Sequence, residues 1–248
     1  MGYKGRDVEV IPLGDDKCLV AACDSCGAIG SKELDVVNVP NYVVGRFTTR
    51  VALLEVMSTA ASPWMITVAV SNEPCPTGEE ILEGVKYELK AVDLSSLPLA
   101  ISTEKNMPTK QTGLGITVVG ICDSEKLRIA TSQPGDILYC LGLPKVGPEV
   151  KNPDDPEIVQ GTHIQKLLET PGIHDVVMVG SKGVRKEAEI LAENVKGHFE
   201  LETSGRVDVD KSAGPSTCLI FTQTPDISPP DFSLTPLSKI GRIVPDSG

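Results

Sequence analysis

Aromatic residues are scarce in this chain, with four Phe, four Tyr and one Trp among 248 residues. A surface that stacks nucleic-acid bases needs an aromatic platform, and this composition supplies little of one. Positive charge is also in deficit. Lys and Arg total 23 against 34 Asp and Glu, for a net charge of −11. The basic residues are scattered, so nothing offsets the repulsion of nucleic-acid phosphates. Long apolar runs are absent, and none approaches the roughly 20 residues that span a bilayer. The opening MGYKGRDVEV lacks the apolar core of a secretory signal, and Arg6 breaks the myristoylation pattern that Met-Gly begins. The expectation is a cytoplasmic protein without a membrane or nucleic-acid partner.

Paired cysteines are missing too. The seven cysteines are odd in number and dispersed, which suits reduced thiols. Cys23 and Cys26 form a CxxC, the pattern of a redox pair or of half a zinc site. No second pair of similar spacing completes a zinc site. A redox motif belongs at a helix start, whereas this one follows a strand and enters a glycine loop. It reads as incidental to the loop.

Hydrophobic content is 40% and charged content 23%, ordinary values for a globular chain of one large domain or two modest ones. Val8–Leu13 and Leu19–Ala22 read as paired strands around a turn at Gly14–Lys17. Phe47, Val51, Leu54 and Met57 recur at helical spacing and predict a helix over 46–61, ended by Pro63. Met65–Val70 reads as a buried strand. Thr77-Gly-Glu-Glu80 has the form of a capping box opening a helix to about Val92. Leu114–Ile121, Arg128–Thr131 and Ile137–Leu141 read as strands. Leu143–Pro156 is rich in proline and charge and reads as a linker or long surface loop. Beyond it, 157–168 and 184–195 predict helices, and 175–179 and 218–222 predict strands, the latter the last. From Pro225 onward the sequence reads as an extended tail. The pattern is α+β, not doubly wound, with neither a Rossmann nor a Walker A fingerprint.

The chemistry concentrates in Gly14–Asp35. Asp15 and Asp24 stand at expected strand ends, beside a loop holding Gly27, Gly30, Ser31 and Lys32. Carboxylates next to a glycine-rich loop with one lysine suit a magnesium-bound phosphate chain. Glu55 and Glu104 are further acids beside helix or strand ends. The polar stretch Ser102–Gly113 offers Thr103, Lys105, Thr109 and Lys110 as phosphate donors. The plainer alternatives are a turn at Asp15–Asp16, a solvated Glu55 and a surface loop at 102–113. His163, His174 and His198 all lie in the second half, away from these acids.

Gly14-Asp-Asp, a strand ending in Asp24, a helix bearing Glu55 before Ala-Ser-Pro-Trp, and an acidic STEK before a glycine-rich strand together resemble the aminoimidazole ribonucleotide synthetase (PurM-like) superfamily. Pro134-Gly-Asp-Ile-Leu-Tyr-Cys-Leu-Gly and Ser212-Ala-Gly-Pro-Ser-Thr-Cys-Leu-Ile-Phe-Thr extend the resemblance across nearly the whole chain. CDSCGAIGSKELD and STEKNMPT are most similar to the short α-ribazole kinase branch.

The resemblance implies a two-domain α+β fold. Residues 1–131 would be an ATP- and Mg²⁺-binding domain sharing a β-barrel with a second copy, and 132–248 a reduced second domain. It implies ATP and Mg²⁺ as cofactors. Asp15, Asp24, Glu55 and Glu104 would be metal ligands, and Gly27, Gly30, Ser31, Lys32 and Thr103 nucleotide contacts. Asp24 and Lys105 would be catalytic, with Ser212–Thr217 beside a nucleoside pocket. The implied reaction is phosphoryl transfer from ATP to the ribose 5′-hydroxyl of α-ribazole, in a homodimer. The alternatives are another ATP-dependent enzyme of the superfamily and a non-catalytic ATP-binding module.

Overall fold

The computed structural model describes residues 2–150, 152–202 and 205–246. Residues Glu9–Gly14 form β1 and Lys17–Gly27 form β2, an antiparallel hairpin. The short β3 (Ile29–Gly30) and β4 (Val37–Asn38) pair in parallel across the loop that follows. Helix α1 covers Asn41–Ser58. It begins earlier than its apolar spacing predicts, directly after Pro40, which is restricted to extended or turn-like φ and marks the helix entry. β5 is Ser62–Val70, α2 is Glu79–Ala91, β6 is Leu99–Thr103 and β7 is Gly113–Asp123. The first sheet runs in the order β1-β2-β7-β5-β6.

Alternation along the strands decides which face is covered. On β2, Cys18, Val20 and Ala22 are buried while Leu19, Ala21 and Cys23 are more exposed. On β7, Leu114, Ile116, Val118 and Cys122 are buried in the same rhythm. These residues join Leu53, Leu54, Ile81 and Val85 from α1 and α2 in one core. The two helices cross closely because a Cβ at Gly45 would stand 2.1 Å from the Ile81 carbonyl oxygen, and one at Gly84 2.2 Å from that of Tyr42. Near this crossing, Arg50, fully buried, donates to both Glu88 oxygens at 3.0 and 2.7 Å and to the Pro153 carbonyl at 2.9 Å. Arg46 donates to Glu88 at 2.6 Å and forks onto Asp154 at 2.8 and 2.7 Å. The proline-rich segment after residue 143 is thereby bolted to α1 and α2. It is a loop inside the second half and not a linker between halves, because the strand before it pairs with strands after it.

That strand is β8 (Ile137–Leu141). It is followed by α3 (Gly161–Glu169), β9 (Ile173–Met178), α4 (Gly183–Asn194), β10 (Gly197–Leu201), β11 (Leu219–Gln223) and β12 (Leu237–Pro245). The second sheet is ordered β10-β12-β8-β11-β9 and is antiparallel throughout. One face packs Phe221, Met178 and Leu219 with α1 and α3 residues. The other packs Leu138, Ile220 and Ile243 against Val184, Ala188 and Leu191 of α4.

Three sequence expectations fail for physical reasons. The tail beyond Pro225 is not merely extended: Leu237–Pro245 is a strand between β10 and β8, since five of its residues pair on each side. Arg128–Thr131 forms no strand; Arg128 instead donates to the carbonyls of Ile173 and Leu168. The Thr77 capping box does not form, because Thr77 Oγ1 donates back to Glu73 and α2 begins two residues later. The CxxC, read as incidental, is so: Cys23 and Cys26 are three apart on one strand and project to opposite faces, which does not suit a redox pair.

Candidate active site

α1 carries one stripe that faces loops of the second half: Val44, Phe47, Thr48, Val51 and Glu55. These residues are spaced by three or four and so share a face. They line two adjoining cavities. The first, about 500 Å³, holds Asp7, Asp24 and Glu55, with Val51, Gly180, Ser181 and Gly214–Ser216 around them. The second, about 470 Å³, is apolar. Its walls include Ile29, Val39, Val44, Phe47 and Val150. Asp24, Gly214 and Pro215 border both cavities.

Each acid arrives from a different element. Asp24 lies on the helix-facing side of β2, past the last tightly buried position at Ala22. Asp7 lies two residues before β1, whose first residue, Glu9, also lines the cavity. Glu55 occupies the inward stripe of α1 and is 7% exposed. From the second half, Glu187 sits among Val184, Ala188 and Leu191 on the buried face of α4. Its field reaches the same cavity: it and Asp7 both act on Glu55.

Crowding raises these carboxyls. Burial, with Asp7 nearby, lifts Asp24 to about 6 against a main-chain hydrogen bond at Ser25. Burial lifts Glu55 to about 8, aided by Asp7, Glu187 and Asp24 and opposed by Arg6. Burial lifts Glu187 to about 7, opposed chiefly by Lys182. Among the described residues no Lys or Arg lines either cavity. Like charges gathered without a lining cation favour protonation or a bound cation. The donors are all hard oxygens, which suits Mg²⁺. Among the described residues, no three or more His, Cys, Asp or Glu are gathered tightly enough to hold a metal ion on their own. Magnesium commonly uses only one or two carboxylates beside substrate phosphates and water, so the set fits an ion that arrives with a phosphate chain.

The expected site residues divide. Asp24 and Glu55 share the acid cavity, and Gly27 lines the apolar one. Asp15 does not join them. It occupies the β1–β2 turn with φ +49°, nine residues from Asp24 and roughly 30 Å away along the strand. Glu104 does not line it either; its carboxylate accepts from the Asn106 and Met107 amides at 2.7 and 3.1 Å. The expected four-carboxylate set of Asp15, Asp24, Glu55 and Glu104 is therefore not assembled.

Lys32 is taken by Glu73 at 2.5 Å. Burial alone would raise Glu73, but hydrogen bonds from Lys32 and Thr77 hold it down at about 2. Ser31 is locked to Asn41 by bonds of 3.2 and 2.8 Å. Gly30 passes so close to Thr112 and Asp35 that a Cβ would stand 2.3 Å from Thr112 Oγ1. Thr103 ends β6 and Lys105 is exposed in the loop beyond it; neither lines the cavities. Of the histidines, His174 Nδ1 meets Asp136 at 2.6 Å and His198 meets Asp246 at 3.2 Å. His163 stacks edge-on against Phe232, and burial lowers it to about 4.

Asp7 and Glu187 escaped the sequence reading. Asp7 was legible as the acid directly before the first apolar run. Glu187 was legible as an acid inside the apolar stripe of a helix.

The chain has the PurM-like α+β fold, in which a helix-covered sheet and a smaller α/β half enclose an acid-lined cleft. Thiamine-monophosphate kinase from Stenotrophomonas maltophilia is similar over 98% of this chain and 90% of its own, at 17% identity and TM-score 0.63. Thiamine monophosphate kinase from Aquifex aeolicus is similar over 96% and 88%, at 14% identity and TM-score 0.64. AaThiL complexed with AMPPCP and TMP is similar over 98% and 86%, at 14% identity and TM-score 0.66. Phosphoribosylformylglycinamidine synthase II from Thermotoga maritima shares the fold over 96% of this chain and 36% of its own, at 15% identity and TM-score 0.59. No family model matches the chain, and no curated protein matches it. Among the described residues, no helix is long and apolar enough to cross a membrane.

Proposed function

We propose that this protein is an ATP-dependent phosphotransferase whose acceptor is the 5′-hydroxyl of α-ribazole or a nucleoside of the same kind. The observation that carries the reading is the junction at Asp24, where an acid cavity opens directly into an apolar one. The shared fold supports ATP use, since one solved neighbour is complexed with AMPPCP.

One or two of Asp7, Asp24 and Glu55 would hold Mg²⁺ together with the phosphate chain, with Glu187 contributing to the field from α4. When bound, the ion neutralises the phosphate chain and the charge that develops as the phosphoryl group moves. Asp24 borders both cavities and so stands where donor and acceptor meet. Such transfers depend on positioning and charge neutralisation more than on covalent help. Gly214, Pro215 and Ser216 close the cleft from the second half.

The apolar walls support an acceptor with an uncharged aromatic base. The lack of a lining Lys or Arg among the described residues favours a free hydroxyl over an acceptor that already carries a phosphate.

We also infer a homodimer. The sheet face away from the helices shows Ile11, Leu19, Met65, Val119 and Ile121, with Ile11 at 55% and Met65 at 40% exposure. Such a face suits pairing with a second copy into a shared barrel. Residues 1–131 and 132–248 would then be the two domains. A nucleotide-binding protein without turnover is the second reading, favoured by the positions of Glu104 and Lys105 outside the cavities.

Incubation with Mg-ATP and α-ribazole tests the function. The expected products are ADP and α-ribazole 5′-phosphate, with Asp24→Asn inactive but unchanged in circular dichroism. Absence of ADP release with α-ribazole, thiamine monophosphate and other nucleosides would remove the kinase reading.

A further inference from the structure

Arg6 stands directly before Asp7 and is 2% exposed. A guanidinium carries five donors, and burying them without partners is costly. Nη2 donates to Ser58 Oγ at 2.8 Å, but Nε and Nη1 are buried with no hydrogen-bond partner. Ser58 Oγ in turn donates to the Glu55 carbonyl at 2.9 Å. The guanidinium is thus tied one helical turn from Glu55. Its field reaches both Glu55 and Glu187, opposing the effect of burial on each. Lys182 acts on Glu187 in the same sense.

A cation near the C-terminal end of α1 is favourable to the helix dipole. That alone does not explain a cation shut in beside a cavity of carboxylates with two donor atoms unpaired. We propose that Arg6 is a built-in counter-charge of the acid cavity. It offsets Asp7, Asp24, Glu55 and Glu187, so that the cavity accepts a phosphate chain together with its cation and does not simply fill with cations. Arg6 works through space and is a positioning residue. The proposal rests on the reading of this cavity as a cation and phosphate site.

Removing a fixed positive charge acts oppositely on ligands of opposite sign. Electron paramagnetic resonance titration with Mn²⁺ alone and calorimetry with tripolyphosphate alone measure the two arms. Arg6→Met is expected to bind Mn²⁺ roughly tenfold more tightly and tripolyphosphate roughly tenfold more weakly than the wild type. Arg6→Lys keeps the charge and Ser58→Ala removes only the tether, so both are expected within about twofold of wild type. Should Arg6→Met fail to fold by circular dichroism, Arg6→Gln carries the same expectations.

A merely structural role would weaken both ligands together. Movement of the two arms in one direction, no movement in either, or Arg6→Lys behaving as Arg6→Met overturns the counter-charge. A wild-type protein that binds neither probe overturns the cavity reading as well.

Discussion

Replacing Glu55 by Gln tests the energetics of the acid cavity. Glu55 is 7% exposed. Burial, reinforced by Asp7, Glu187 and Asp24, raises it from 4.5 to about 8 against the pull of Arg6. A carboxyl raised in the folded state binds its proton more tightly when native than when unfolded. Its contribution to stability is fully present below about pH 4.5 and is lost as pH rises through about 8. At about 1.4 kcal/mol for each decade of proton affinity, the interval from 4.5 to about 8 amounts to at most about 5 kcal/mol.

Gln has nearly the same volume and no charge to bury. Urea unfolding at pH 5 and pH 9 therefore separates the two proteins. The wild type is expected to lose several kcal/mol more than Glu55→Gln between those pH values. Mn²⁺ at pH 9 is expected to restore much of the wild-type loss and little in the variant, since a cation stabilises the form that binds it. Asp24 and Glu187 titrate in both proteins, and because each interacts with Glu55 the difference between the two proteins includes that coupling. Parallel pH dependences, or equal rescue by Mn²⁺, would refute the placing of Glu55 as a buried, cation-ready acid.

Asp15→Asn is expected to change neither phosphoryl transfer nor stability beyond about 0.5 kcal/mol, because Asp15 is an exposed turn residue. A tenfold loss of turnover would return it to the site. Glu88→Ala removes the only carboxylate partner of buried Arg50 and one of the two of Arg46, and is expected to cost about 3–5 kcal/mol in chemical denaturation, a loss under about 1 kcal/mol contradicting the buried cluster. Lys32→Ala removes a partly exposed ion pair with Glu73. It is expected to cost no more than about 1 kcal/mol and to leave Mg-ATP affinity unchanged by calorimetry; a large loss of affinity would restore Lys32 as a phosphate contact.

Periodicity carried most of the fold. The β1–β2 hairpin, α2, β7 and α4 follow from alternation or helical spacing, because each has one face more buried than the other, while α1 and β9 show as apolar runs because they are buried on both sides. What escaped were elements whose pattern is diluted by neighbours. β12 lies behind a run of prolines, and its Gly241 and exposed Lys239 and Arg242 hide an interior strand. The site was half legible. Asp24 and Glu55 stand out as acids interrupting buried faces, and the same reasoning reaches Asp7 and Glu187. Asp15 misled because a Gly-Asp-Asp turn and a metal-binding Gly-Asp-Asp are the same letters. The register of β2, which the turn itself sets, puts this one at the far end of the strand. Lys32 misled because its partner Glu73 lies 41 residues away, beyond any local pattern.

Crystals grown with Mn²⁺ and a non-hydrolysable ATP analogue give the most direct test of the central claim. The expected result is anomalous density for Mn²⁺ between the phosphate chain and one or two of the carboxylates of Asp7, Asp24 and Glu55, with the apolar cavity beyond Asp24 left open to the acceptor. Mn²⁺ at Asp15 or Glu104, or a nucleotide bound away from Asp24, would contradict it.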